Sequence, residues 1–117
     1  MPTKLSAARE KETYIVKYEP FDHNNKATIP TTVTWTLMKL DESIVNSRED
    51  VALVTPMAYE NYIVLTGNDL ALDEDGVRCR RILLIKATYS GLVGTQTKHN
   101  LPIYIESRFD IEPVPGV

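Results

Sequence analysis

The fold of this chain is decided by residues 101–112, which read LPIYIESRFDIE. The odd positions of this stretch are Leu, Ile, Ile, Ser, Phe and Ile, whereas from Tyr104 onward the even positions are Tyr, Glu, Arg, Asp and Glu. Successive side chains of a β-strand point to opposite faces, so the pattern predicts a strand with one apolar and one polar face. A slip of one residue would turn the charged side chains toward the core, so the register of this strand is strongly fixed.

Similar alternation recurs along the chain and predicts several further short strands. They span residues 12–19, 32–39, 44–47, 51–54, 61–66 and 80–89. The centre of the 80–89 strand is apolar on both faces, which predicts a central position in its sheet. Residues 73–76, Asp-Glu-Asp-Gly, have the composition of a tight hairpin turn. Residues 90–100 are predicted to form a glycine-containing loop.

Short strands separated by turn signals, without a convincing long helix, predict an all-β fold. The expected architecture is an antiparallel two-sheet β-sandwich of immunoglobulin-like or fibronectin III-like type with about seven strands. Trp35 is expected at the centre of the core, and Tyr89 is placed to tie down a loop through its hydroxyl. A jelly roll or a small barrel has the same sequence rhythm and is the alternative.

The chain of 117 residues fits a single domain flanked by two short terminal segments. We expect an N-terminal arm of residues 1–11, a sandwich domain of residues 12–112 and an extended C-terminal tail of residues 113–117. Pro113 and Pro115 in the tail have no amide hydrogen, so they cannot continue a strand ladder.

Composition narrows the classes of function. The formal net charge of −3 argues against a general binder of nucleic acid or of anionic membranes. The single cysteine, Cys79, excludes an internal disulfide, which fits assembly in a reducing cytosol. The sequence has no apolar run of the roughly 20 residues that span a bilayer, and the N-terminus does not have the apolar centre of a signal peptide.

The histidines and the cysteine are the first candidates for chemistry. His23 and His99 lie in polar segments without a recognisable nucleophile motif, so they are interpreted as solvated loop residues. Cys79 lies between Arg78 and Arg80, and neighbouring positive charge favours a reactive thiolate. A lone cysteine in an alternating strand is more often a small apolar filler, and that interpretation is preferred.

Two charged clusters are the remaining candidates. The acidic cluster of Asp69, Asp73, Glu74 and Asp75 has the oxygen ligands that calcium prefers, but its spacing differs from an EF-hand loop, so a solvated hairpin tip is the preferred interpretation.

The basic cluster contains Arg78, Arg80 and Arg81, with Arg78 and Arg80 on one strand face and Arg81 on the other. Such arginines can grip a carboxylate or a phosphate. In this acidic chain, pairing with acidic residues across the sheet, or with an acidic neighbouring subunit, is favoured.

No phosphate-binding glycine loop, HExxH motif or CxxC pair occurs in the sequence. The prediction is therefore a protein that is not an enzyme, with no catalytic residue, metal site or cofactor.

Five stretches carry a resemblance to a protein family. They are VTWTL (33–37), IVNSRE (44–49), IVLTGNDL (63–70), RILLIKATY (81–89) and the final strand up to Phe109. Over residues 12–112 the chain resembles small immunoglobulin-like structural proteins of tailed bacteriophages, encoded in the region of the head and tail genes. That resemblance implies a virion component, assembled in the cytoplasm of the bacterial host, with no catalytic residues to transfer.

The expected role is a capsid decoration or cement protein that contacts capsid subunits, and its own copies, through arms and strand edges. No contact with nucleic acid or membrane is expected. The candidate partner-contacting residues are Leu5, Arg78, Arg80, Pro113, Val114 and Pro115. One alternative is a neck or tail component. Another is a stand-alone module that binds carbohydrate or a host surface protein through aromatic side chains, for which the candidates are Phe21, Tyr59, Tyr62 and Tyr104.

Overall fold

The computed structural model describes residues 3–53 and 58–115. Within these residues the chain has eight strands, a 3₁₀ turn over Asn68–Leu70 and no α-helix, so the all-β prediction is confirmed. The strands are β1 (Thr3–Lys4), β2 (Ala8–Arg9), β3 (Lys11–Tyr18), β4 (Thr32–Met38), β5 (Val51–Ala52), β6 (Asn61–Gly67), β7 (Cys79–Val93) and β8 (Gln96–Glu112). They form one sheet of six strands and one of two.

The larger sheet is built around the long hairpin of β7 and β8. Its strand order is β1-β8-β7-β4-β5, with β2 also paired to β8, and the sheet is curled into a half-barrel. The strand β7 lies between β8 and β4 and is antiparallel to both, which confirms its predicted central position. Ile85 is paired with Trp35 on one side and with Ile105 on the other, so three large apolar residues lie in one row across the sheet.

The smaller sheet pairs β3 with β6 in antiparallel fashion. One apolar cluster joins both sheets, and Trp35 is buried within it, as predicted. The cluster includes Val16, Tyr18, Ile63 and Leu65 from the smaller sheet and Val33, Trp35, Leu37, Leu83, Ile85 and Phe109 from the larger one. Each sheet therefore covers the apolar face of the other, which is the main source of stability in a fold of this kind.

The predicted alternation of β8 is confirmed in the C-terminal half of the strand. Phe109 and Ile111 are completely buried, whereas Tyr104 on the opposite face is well exposed. The exception is Asp110, which lies on the polar face and is nevertheless buried. Its carboxylate is covered by two arginine side chains, described below.

The N-terminal residues differ from the expected arm outside the sheet. β1 and β2 add to β8 as two short parallel strands. Ala8 is buried and Leu5 packs against the core, while the Leu5 amide donates to the Arg108 carbonyl at 2.8 Å. Sequence alternation does not detect this pairing, because each strand has only two residues and its partner is far along the chain. Met1 and Pro2 lie outside the described residues.

Two further local predictions were wrong. Residues 44–47 do not form a strand, because Asn46 and Ser47 adopt positive φ angles of 52° and 57°, and only an isolated bridge joins Ile44 to Met38. Residues 90–100 are not a loop, because both strands of the hairpin continue through them. The predicted strand at 51–54 is observed at Val51–Ala52, and its last residue lies outside the described part of the chain.

Candidate functional site

The hairpin of β7 and β8 extends past the rest of its sheet. Pairing of β4 with β7 ends at Thr32 and Thr88, whereas β7 and β8 stay paired as far as Val93 and Gln96. We call residues 90–100 the hairpin arm. Gly94, the first residue of the turn, is five positions beyond Tyr89, so the arm is about 17 Å long at the usual rise per strand residue. The molecule is correspondingly elongated, with principal extents of 58 × 26 × 23 Å.

A glycine at the tip allows the arm to turn tightly. Val93 and Gln96 are paired, which leaves Gly94 and Thr95 as a two-residue connection. Gly94 has φ of 64°, and among the described residues Thr95 is not one of those with positive φ. This is the geometry of a type II′ hairpin turn, which requires glycine at its first central position. The turn matches the right-handed twist of the strands, and the arm stays paired from Gly91–Lys98 to its end, beyond a β-bulge between Tyr89 and Gly91.

The base of the arm is anchored by Tyr89. The backbone N–H of His23 donates to the Tyr89 hydroxyl at 3.0 Å, and His23 Nδ1 lies 2.8 Å from the same oxygen. The two rings are stacked with centroids 6.1 Å apart. The predicted role of Tyr89 in tying down a loop is therefore confirmed, and the loop is the one that contains His23. Tyr89 is buried, so the arm leaves the body of the protein from a fixed point.

The tip of the arm exposes apolar side chains. Leu92 is 61% and Val93 is 45% exposed, and every residue from Leu92 to Asn100 is exposed. Lys98 is the only residue of the arm that is charged at neutral pH when histidine is neutral. The tip is apolar, and the polar residues around it carry almost no charge. Such a surface is complementary to a groove on a protein rather than to a phosphate backbone.

Arg78 and Arg80 converge on the buried carboxylate of Asp110. Arg78 Nη2 and Arg80 Nε each donate to Asp110 at 2.8 Å, and Arg78 also pairs with Glu112 at 3.1 Å. Hydrogen bonds from Arg80 and then Arg78 lower the pKa of Asp110 to about 2. Pairing across the sheet, the favoured interpretation of this basic cluster, is therefore confirmed. These residues line a surface pocket of about 350 Å³, and contact with a partner protein stays a prediction for them.

Arg81 faces the other way, as predicted, and is buried against the core side of β7. Its guanidinium binds both oxygens of Asp73, at 2.7 and 3.2 Å, and donates to the Ala71 carbonyl at 3.1 Å. The hydrogen bond from Arg81 lowers the pKa of Asp73 below its ordinary value. The pair fixes the segment before the Glu74–Val77 turn, in which Gly76 has φ of 73°.

Asp69 holds a second segment in place. Its carboxylate accepts hydrogen bonds from Arg48 Nε at 2.7 Å, Asn46 Nδ2 at 2.8 Å and the Thr66 amide at 3.0 Å. Burial alone would raise the pKa of Asp69, but these donors lower it below its ordinary value. Asp69 and Asp73 are therefore each bound by cationic side chains. Within residues 3–53 and 58–115, no three His, Cys, Asp or Glu side chains are grouped to hold a metal ion.

The predicted terminal contacts are placed as follows. Leu5 packs against the core of its own chain, so it is not a free anchor in this structure. Pro113 and Val114 are half-buried, and the Val114 amide donates to the Glu10 carboxylate at 2.8 Å. Pro115 is exposed, whereas Gly116 and Val117 lie outside the described residues.

The two histidines and Cys79 each contact other residues of the same chain. His99 Nδ1 lies 3.0 Å from the Ser90 hydroxyl on the arm, and the two side chains are exposed. Cys79 is half-buried and packs against the core, which fits its interpretation as an apolar filler. His23 contributes to the anchor at Tyr89, far along β7 from Cys79.

The apolar tip residues Leu92 and Val93 were not among the sequence-predicted contacts. A signal was present, because Leu-Val-Gly-Thr places two apolar residues directly before a glycine that can start a two-residue turn. It was weak, since the returning stretch Gln-Thr-Lys-His-Asn shows no apolar alternation.

No protein-family model, curated protein or solved structure matches this chain. Helices long and apolar enough to cross a membrane are absent from the part of the chain that the structure describes.

Proposed function

We propose that this protein is a non-enzymatic structural component of a bacteriophage virion, a capsid decoration or cement protein that binds capsid subunits. The single observation that carries the proposal is the hairpin arm with its exposed Leu92 and Val93. An apolar side chain at the end of a projecting hairpin is costly to leave in water, and a groove on a partner would cover it.

The strand order supports an immunoglobulin-like fold for this component. In that fold one sheet has the order G-F-C-C′, and strands B and E lie in the other sheet. Here β8-β7-β4-β5 form one sheet and β3-β6 the other, which is the same order if β3 is strand B. Trp35 on β4 then occupies strand C, where immunoglobulin domains place their buried tryptophan.

The contact surface is proposed to be the arm rather than the N-terminal segment. β1 and β2 belong to the sheet, so residues 3–9 are already used within the chain. The arm is anchored by Tyr89 at its base and has no further strand partner among the described residues. A pre-organised hairpin loses little conformational entropy when it binds, which favours affinity.

The proposal is tested by converting the apolar tip to polar residues. The double variant Leu92→Ser, Val93→Ser and the matched control Leu40→Ser, which alters an exposed leucine outside the arm, are each produced in the host together with the phage particles. We expect Leu40→Ser to join particles like the wild type and the double variant to stay in the soluble fraction after sedimentation. Equal incorporation of both variants would overturn the arm as the contact.

A neck or tail component is the nearest alternative within the same class. Copy number separates the two, because decoration of a shell requires many copies per particle and a neck requires one ring. Quantitative mass spectrometry of purified particles measures that number directly.

A stand-alone binding module is the alternative from another class. Its aromatic candidates Phe21, Tyr59, Tyr62 and Tyr104 are all exposed, which this alternative requires. Tyr62 and Tyr104 lie on strands of different sheets, so they do not form one platform. Binding of the purified protein to a glycan array, lost in Tyr104→Ala, would favour this alternative.

A further inference from the structure

The smaller sheet leaves one edge of β3 open. It contains two strands, and β3 is paired with β6 from Lys11–Gly67 to Tyr18–Asn61. Among the described residues, no strand pairs with the opposite edge of β3. An open edge presents a row of unpaired amide and carbonyl groups and is a template for another strand.

The comparable edge of β8 is blocked. The Thr31 amide donates to the Thr88 carbonyl at 2.7 Å, so the backbone of Thr88 points away from β8. Pro102 is the residue opposite Thr88, and its backbone therefore faces the outer edge, where it offers no N–H. Farther along, β1 and β2 cover the same edge. Proline and added strands are the usual protection against edge-to-edge pairing.

Among the described residues, the open edge of β3 has neither a proline nor an added strand. Residues 11–18, KETYIVKY, contain no proline and are rich in β-branched and aromatic residues that favour strands. Ile15 is 59% exposed on the outer face, and it is paired with the exposed Val64. Lys17, the charge nearest to Ile15 on this face, is bound by Glu19 at 3.1 Å and Glu60 at 3.3 Å.

We infer that the open edge of β3 pairs with β3 of a second copy of this chain, antiparallel and around a two-fold axis at Ile15. The two smaller sheets then become one continuous sheet of four strands. In this register Ile15 faces Ile15 of the second copy, and Thr13 faces Lys17. The bulge between Lys11 and Thr13 lies at the end of this ladder, opposite Tyr18 of the second copy.

Neighbouring registers are less favourable. A shift of two residues in one direction places Ile15 opposite Thr13, which separates the two isoleucines and loses their apolar contact. A shift in the other direction places Lys17 opposite Ile15, which leaves a charge against the apolar centre. A shift of one residue would place outward-facing side chains of one copy beside inward-facing side chains of the other. The sequence of β3 is thus complementary to itself in one register, as an isologous contact requires.

This inference does not depend on the proposed function. The surface lies in the smaller sheet, whereas the arm belongs to the larger one. A failure of the arm to bind particles would leave the pairing of β3 untouched, and the reverse also holds.

Cysteine cross-linking of the full-length chain tests the register. In a Cys79→Ser background, Ile15→Cys places two cysteines directly opposite each other, within disulfide range. In the matched variant Thr13→Cys the two cysteines are separated along the strands by about 13 Å, beyond the roughly 7 Å limit between Cα atoms. We expect mild oxidation to give a covalent dimer with Ile15→Cys and little with Thr13→Cys. Equal cross-linking of both variants would overturn the register.

Sedimentation equilibrium of the untagged protein tests the association itself. We expect a monomer–dimer equilibrium whose dissociation constant rises at least tenfold in Ile15→Lys, because two like charges then meet on the axis. Tyr104→Lys changes an exposed aromatic residue on the other sheet and should leave the dissociation constant unchanged. Circular dichroism confirms that both variants are folded. A wild-type protein that stays monomeric at millimolar concentration, or an equal effect of both variants, would overturn the inference.

Discussion

Leu83 and Leu92 lie on the same strand, β7, and both are paired with β8. Leu83 is completely buried in the core, whereas Leu92 is 61% exposed near the tip of the arm. At Leu83 the strand β7 is also paired with β4, whereas at Leu92 it is paired with β8 alone. The second layer differs as well, because the smaller sheet covers Leu83 and no element in the described residues covers Leu92.

Different parts of the β7–β8 hairpin therefore provide stability and a surface for binding. A strand that is covered on its apolar face contributes to the free energy of unfolding, and one that projects beyond its neighbours contributes little. The body of the hairpin holds the fold together, and the arm is free to meet a partner.

Truncation of Leu83 and of Leu92 should give the largest difference in the free energy of unfolding. Leu83→Ala leaves a cavity in a completely buried site and should lower the free energy of unfolding by about 3–5 kcal/mol. Leu92→Ala removes only exposed surface and should change it by less than about 0.5 kcal/mol. Urea denaturation followed by tryptophan fluorescence measures both values through Trp35. Comparable losses would mean that the arm packs against the body.

Removal of the Asp73 carboxylate should have the next largest effect. Asp73→Ala leaves the buried guanidinium of Arg81 without its bidentate partner. Because the side chain of Asp73 is 42% exposed, we expect a loss of about 2–3 kcal/mol, below that of a fully buried pair. Asp75→Ala, in the exposed turn nearby, is the matched control and should stay within about 0.5 kcal/mol. Similar values for the two variants would contradict a structural role for Arg81.

Acid should lower the stability of the folded body by protonating the Asp110 carboxylate. The pKa of Asp110 is lowered from 3.8 to about 2 in the folded protein. A carboxyl group with a lowered folded pKa stabilises the protein above the unfolded pKa, and this contribution is lost as the pH falls from about 4 to about 2. Urea midpoints at pH 5, 3.5 and 2 should therefore fall less steeply in Asp110→Asn than in the wild type. Parallel pH profiles would show that the arginines do not stabilise the charged carboxylate.

A change at the tip of the arm should have the smallest effect on global stability. Gly94 has positive φ, so Gly94→Ala should destabilise the turn locally by about 1 kcal/mol. Amide hydrogen exchange should become faster in residues 90–100 and stay constant at Leu83 and Phe109 in the body. A uniform increase throughout the chain would show that the arm and the body open together.

Alternation of apolar and polar residues predicted the strands that have one buried face and one face exposed to solvent. β8 is the clearest case, because Phe109 and Ile111 alternate with charged residues and the core enforces that alternation. The buried Trp35 and the loop anchored by Tyr89 were predicted for the same reason, since a large aromatic residue on a central strand has few other places to lie.

The features that sequence did not predict depend on contacts distant in the chain or on special backbone angles. The parallel pairing of β1 and β2 with β8 leaves no periodic signal in two-residue strands. Val45 is buried although it does not lie in a strand. The extended conformation ends directly after it, because Asn46 and Ser47 adopt positive φ angles. The arm was missed because neither of its faces is covered, so its strands need no apolar alternation.

The hairpin arm is proposed to be the surface that contacts the partner. Hydrogen–deuterium exchange of the protein free and bound to phage particles tests it most directly, because it reports every backbone segment at once. We expect slower exchange in residues 90–100 on binding, with the covered strands around Leu83 unchanged. Protection confined to Arg78–Arg80 or Pro113–Pro115, with the arm exchanging as in the free protein, would contradict it.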